Sequence, residues 1–187
     1  MEMTPAIRLA HWIYNYCEAN NISDLSNIKM QKLLYYCSGI ASALELDEIE
    51  PVEFSAWKYG PVNSECYQEF KSFGANAINF SSANVNYSEN TENILNAIMS
   101  IYVGLTPFEL VEQTHSEEPW RKTWNSEEEF IPNALIKKYF KDHYQLGNSR
   151  VPSIISNDGF FTIDNIPVKR FNDIFEVATF VQASGNV

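Results

Sequence analysis

The residues best placed to do chemistry lie in THSEEPW, residues 114–120. His115 is followed by Glu117 and Glu118, and a histidine beside carboxylates is what a general base requires. A second stretch, WKYGPVNSECY at 57–67, sets Lys58 between Trp57 and Tyr59, ahead of Gly60 and Pro61. As a phosphate-cradling loop it falls short. Such loops present several backbone N–H groups through clustered glycines, and here one glycine precedes a proline that has no N–H. The other reading is a strand-to-helix corner, in which Gly60 turns the chain, Pro61 opens a helix, and Trp57 and Tyr59 pack around it. A third stretch, KMQKLLYY at 29–36, places Lys29, Lys32 and Tyr36 on one helix face. They form either the solvated flank of an amphipathic helix or a recognition face, since tyrosine and basic side chains make good contact anchors.

Nothing else in the chain supports His115 as a catalytic centre. There is no nucleophile elbow, no HExxH and no second histidine at ligand spacing. His11 and His143 read as structural or exposed, and Cys37 falls on an apolar stripe, where a thiol is inert. No metal or cofactor site is read, and the protein is expected not to be an enzyme. The 187 residues amount to one domain, with or without an extension. At 45% hydrophobic and 14% aromatic the composition is globular. The net charge of −11 disfavours nucleic acid as a partner, because such binding relies on Lys and Arg neutralising phosphates. The same field would steer a basic partner inward. No apolar run approaches the ~20 residues of a membrane helix, and MEMTPAIRLAHW lacks the pattern of a signal peptide. The cysteines Cys17, Cys37 and Cys66 are widely spaced and odd in number. They are expected to be reduced, buried thiols in the cytosol.

These residues must be positioned by helices and one short strand. Thr4 caps a first helix at Pro5 that ends near Asn20, with Ile7, Ala10, Ile13, Tyr14 and Cys17 inward. Ser26 caps a second, running to about Glu45, on which Met30, Leu33, Leu34, Cys37, Ile40, Ala41 and Leu44 make a helical stripe. Gly39 lies inside it, where another helix could approach closely. VEFSAW (52–57) alternates like a strand, and a helix is expected from Pro61 to Phe73. Residues 75–88 read as irregular. Ser88 caps a helix ended by Gly104, and Thr106–Glu109 has the form of a capping box opening a helix to about Thr114. THSEEPWRKTW then breaks the pattern with a short turn, and Pro132 restarts a helix that ends at Gly147. Beyond Arg150, short apolar pieces alternate with turns. Asp158-Gly159 signals a hairpin, and RFNDIFEVATFVQ fits a helix or a closing strand. The fold class is mainly α (α+β): a compact helical domain around a long amphipathic helix, with a small sheet or hairpin.

Taken together and in order, KMQKLLYYCSGI (29–40), FSAWKYGPVNSECYQEFKSFG (54–74) and THSEEPW (114–120) resemble the Panacea domain, the SocA-like antitoxin domain, over roughly residues 5–140. The matching motif positions are Lys29, Gln31, Lys32, Leu33 and Tyr35, then Trp57, Tyr59, Gly60, Pro61, Val62 and Tyr67, then Thr114, His115 and Trp120. With Lys58, all of these except the core residue Leu33 are the candidate partner-binding residues. The resemblance implies the antitoxin of a toxin–antitoxin system, often carried on prophages or mobile elements. Such a protein neutralises a cognate toxin in the cytoplasm by direct contact, and self-association is not excluded. The alternatives are a proteolytic adaptor that delivers the toxin to a cellular protease, and an enzyme centred on His115. The domain is expected to occupy 1–147. Residues 148–187 form an extension packed on or next to it, whose strand-like pieces could complete a sheet with 52–57 and carry partner specificity. Deleting residues 150–187 is therefore expected to abolish neutralisation while circular dichroism shows the helical core still folded. Full neutralisation by the truncated chain would contradict this.

Overall fold

The computed structural model describes residues 3–126 and 128–143, and the backbone of 161–163 and 166–168. The chain builds itself from locally capped helices. Thr4 accepts from the Ile7 amide and opens α1 (Pro5–Ala19). Ser26 accepts from the Lys29 amide and opens α2 (Asn27–Ala43). The side chain satisfies an amide that the first helical turn leaves without a partner.

Helix α2 is the axis of the molecule. Helices α1, α4 (Glu89–Tyr102), α5 (Pro107–Ser116) and α7 (Asn133–His143) pack against it, as does the small sheet. From Asn27 to Ala41 all its residues but Ile28 are buried. The expectation of an amphipathic helix with a charged flank is therefore corrected. Lys29, Lys32 and Tyr36 sit inside the protein, because other elements cover α2 on all sides.

The sheet also departs from expectation. Strand β1 (Phe54–Trp57) pairs antiparallel with β2 (Gly60–Val62) on one side and β3 (Phe130–Ile131) on the other. Pro61 thus lies in a strand, opposite Ala56, instead of opening a helix. Gly60 at φ +97° lets Lys58 and Tyr59 turn tightly, and β2 is an edge strand, where a proline is tolerated. Asn63 then caps α3 (Ser64–Phe70), its Oδ1 accepting from the Cys66 amide at 2.8 Å. A 3₁₀ turn at Lys71–Phe73 follows, and no regular element lies between Gly74 and Ser88.

Thr106 and Glu109 form the full capping box of α5. The short turn expected after it is a nine-residue helix, α6 (Glu118–Ser126), joined to α5 through Glu117 in an extended conformation. Strands β4 (Phe161–Ile163) and β5 (Ile166–Val168) pair with each other in a sheet of their own. It is β3, and not the C-terminal strands, that completes the sheet around 54–57. The hairpin at Asp158-Gly159, the final helix or strand and the boundary at 147/148 lie outside the described residues. Among the described residues no single helix is long and apolar enough to cross a membrane.

Gly39 marks a close crossing of α2 and α7. A Cβ there would lie 2.4 Å from Phe140 Cε2 and 2.9 Å from Ile136 Cγ2, both on α7 and both buried. Alanine in a helix interior normally stabilises by roughly 0.5–1 kcal/mol relative to glycine. Here overpacking reverses the sign. Gly39→Ala is expected to lower stability by about 1–3 kcal/mol in urea titration, and Phe140→Leu in the same chain should recover part of the loss. A more stable single variant would refute the close approach.

Candidate functional site

Strand β2 is an edge strand, so its outward backbone groups need partners that no further strand supplies. Helix α2 supplies them from its side chains. Lys32 Nζ donates to the Pro61 carbonyl at 2.9 Å, and Gln31 Oε1 accepts from the Asn63 amide at 2.9 Å. Gln31 Nε2 donates in turn to Asn27 Oδ1, and Asn27 Nδ2 to the Tyr67 carbonyl. Asn63 Nδ2 ties back to the Glu53 carbonyl at 3.0 Å. Gly60 is required here for space as well as for its φ. A Cβ would meet Thr114 Oγ1 at 2.7 Å and Lys32 Nζ at 2.8 Å. The motif residues Gln31, Lys32, Gly60, Pro61, Val62 and Thr114 therefore form one buried joint between helix and hairpin. Lys29 stands apart, its ammonium 2.7 Å from Asp24.

A second buried layer joins α2 to the α5–α6 junction. Tyr36 stacks on Tyr102 at 3.9 Å and donates its hydroxyl to Glu117 Oε1 at 2.8 Å. Burial pushes the Glu117 carboxyl up to about 8, against hydrogen bonds from Tyr36 and Tyr35 that favour its ionised form. Burial pushes the Lys32 amine down to about 7. His115 lies face to face with Trp120 at 3.9 Å. Its basicity is lowered by burial and by the Lys32 charge, against a raising contact with the Lys58 backbone. Trp120 Nε1 donates to the Trp57 carbonyl at 2.9 Å, which fixes α6 to the end of β1.

The groups of a His115-centred site have different neighbours, and the buried His115 Nε2 and Glu117 Oε2 have no hydrogen-bond partner among the described residues. Glu117 is held by Tyr36, Glu118 by Lys122, and His115 by the indole of Trp120. Among the described residues no group of three His, Cys, Asp or Glu side chains could hold a metal ion. The three cysteines are free and buried, and burial pushes Cys17 and Cys66 up to about 12 and Cys37 further.

Of the candidate partner-binding residues, Lys29, Gln31, Lys32, Tyr35, Gly60, Pro61, Val62, Thr114 and Trp120 are interior. Trp57, Lys58 and Tyr59 are exposed at the hairpin, and Tyr67 and His115 are half-buried. The sequence reading missed Asn63 as the pivot of the joint, although an asparagine ahead of SECYQEF is a cap signal. It also missed two exposed aromatics, Trp124 and Phe130. Trp124 was findable as the i+4 neighbour of Trp120, on which it stacks at 5.4 Å.

The two displaced groups act in opposite senses on stability. Glu117 contributes fully below its unfolded value of 4.5, and that contribution is lost as pH rises through about 8. Lys32 contributes above its unfolded value of 10.5, and loses that contribution as pH falls through about 7. Glu117→Gln keeps an acceptor for Tyr36 and removes the ionisation. The variant's melting temperature relative to the parent should therefore rise from pH 5 to pH 9, by the equivalent of up to several kcal/mol. A difference that is flat or falls with pH would show that Glu117 is not buried as described.

Residues 30–121 match the family model described as antitoxin SocA-like, Panacea domain. The matched span is narrower than the 5–140 expected, and contains all the motif residues except Lys29. No curated protein and no solved structure matches the chain. The match to the SocA-like Panacea antitoxin domain thus falls on residues 30–121, where the buried joint and its hairpin lie.

Proposed function

We propose that the protein is an antitoxin that neutralises a cognate protein toxin by direct binding, and that it does so by occlusion and not by catalysis. The observation that carries this reading is the family match over residues 30–121, the span that holds the joint. Two further features support it. The family's motif side chains are spent on building a rigid helix–hairpin joint, which presents Trp57, Lys58 and Tyr59 outward. In the alternative enzyme site Glu117 is bonded to Tyr36 and Glu118 is paired with Lys122, although His115 Nε2 and Glu117 Oε2 have no hydrogen-bond partner among the described residues. The charge of −11 suits a basic toxin.

The test is co-expression with the product of the adjacent reading frame. The antitoxin reading expects growth inhibition by that product alone, rescue by this chain, and co-purification of the two. Rescue is expected to persist with folded His115→Gln, and in a strain lacking the protease that an adaptor would need. Failure of the intact chain to bind or rescue would overturn the proposal. Loss of rescue by a folded, still-binding His115→Gln would favour the enzyme. Loss of rescue only in the protease-deficient strain would favour the adaptor.

A further inference from the structure

The outer face of the sheet carries a feature that the family motifs do not define. Ser55 is the register partner of Val62 on β2 and of Phe130 on β3. Trp57 follows two residues on, so by the period of a strand these side chains share one face. The opposite face carries Phe54, packed edge-on against Tyr35 in the core. On the face away from Phe54, Ser55 and Val62 are buried, whereas Trp57 is 38% and Phe130 47% exposed. They are diagonal neighbours across the β1–β3 pair, a spacing within reach of aromatic side chains.

Beside them a cavity of about 200 Å³ opens between Trp57, Val62, Tyr67 and Ile28. Tyr67 meets Trp57 edge to face at 5.0 Å, which holds that wall in place. Asn27, Gln31 and Lys71 also line it, but their polar groups are engaged with Tyr67, Asn63, Gln68 and each other. The cavity is therefore shaped for an apolar side chain and makes little polar demand on it. Two further aromatics are about half-exposed: Tyr59 at the hairpin turn, and Trp124 on α6, which stacks on the Trp120 that bonds the Trp57 carbonyl.

Carboxylates lie along one edge of this face. The Ala56 amide donates to the Glu129 carbonyl, which brings exposed Glu128 and Glu129 alongside β1. Exposed Glu53 precedes the strand and Glu65 follows the hairpin, whereas the cations are Lys58 and Lys71 beside the hairpin, and Arg121 and the Glu118-paired Lys122 on α6. Exposed aromatics around a pocket, bordered by carboxylates, have the make-up of a contact centre with a charged rim.

We infer that this face is the docking surface for the toxin: a basic protein segment that inserts one apolar side chain between Trp57 and Tyr67 and sets Lys or Arg residues against Glu128 and Glu129. The inference rests on the antitoxin reading and names the surface that serves it. An apolar anchor in a confined pocket is a hot-spot arrangement, and the carboxylates act mainly on encounter rate.

The probe is the purified product of the adjacent reading frame, titrated by biolayer interferometry against the full chain at two salt concentrations. Trp57→Ala is expected to weaken binding by about 30-fold or more. Glu128→Lys with Glu129→Lys should slow association about tenfold at low salt and flatten its salt dependence. Phe108→Ser removes an exposed aromatic on α5 that belongs to neither the sheet nor the cavity lining, and should leave affinity unchanged. The charge-reversed pair is exposed and keeps the test valid if Trp57→Ala does not fold. If the unaltered chain fails to bind, the antitoxin reading falls and takes this surface with it. If the unaltered chain binds and the folded variants bind equally well, the docking surface is wrong and the reading stands.

Discussion

The fold depends on the demand that the outer edge of β2 makes for hydrogen-bond partners. A two-sided sheet in a small helical protein ends somewhere, and an uncovered edge costs free energy or invites unwanted pairing. Here the edge is closed by side chains of a helix. Lys32 meets the Pro61 carbonyl and Gln31 the Asn63 amide, both at 2.9 Å. Because those atoms sit on α2, the hairpin can be docked in only one register on the helix. Because α2 is the axis against which α1, α4, α5 and α7 pack, that register fixes the hairpin relative to the whole core. Burying a lysine for this purpose is costly, and the depressed basicity of Lys32 is the sign of that cost.

The same logic explains why chemically suggestive residues here need not do chemistry. Glu117 and Tyr36 bridge α2 to the α5–α6 junction, and Trp120 reaches from that junction to the Trp57 carbonyl. The junction and the hairpin are thus held from two directions. Gly60 sits where Lys32 and Thr114 converge, too close for any side chain of its own. A rigid support of this kind limits the ordering that a partner must bring about on binding, which favours affinity.

Much of the helical fold was legible because its signals are local. Thr4, Ser26, Ser88 and Thr106 each cap the helix that the sequence places after them, and the Thr106–Glu109 box forms in full. The errors arise where long-range contacts outrank local preference. Gly-Pro-Val reads locally as a helix start, yet pairing with β1 and cover from α2 make it a strand. Lys29 and Lys32 read as surface residues because charged side chains rarely bury. Only the position of the hairpin, and of Asp24 beside Lys29, reveals their partners. Strand β3 is two residues long and has no periodicity to detect. The candidate site was legible as a set of motifs but not as an arrangement. Trp57 and Tyr59 adjoin the Gly60 turn in the sequence itself, whereas Phe130 joins Trp57 only through the register of β1 and β3.

The central claim is that the interior motif residues support the hairpin and sheet face, and that this face meets the partner. Amide hydrogen exchange on the full chain, with and without the product of the adjacent reading frame, tests it most directly. The account predicts slow exchange at Asn63 and along α2 in both states. On binding, added protection should concentrate in residues 54–67 and 120–131. Protection gained elsewhere, with these two segments unchanged, would contradict it.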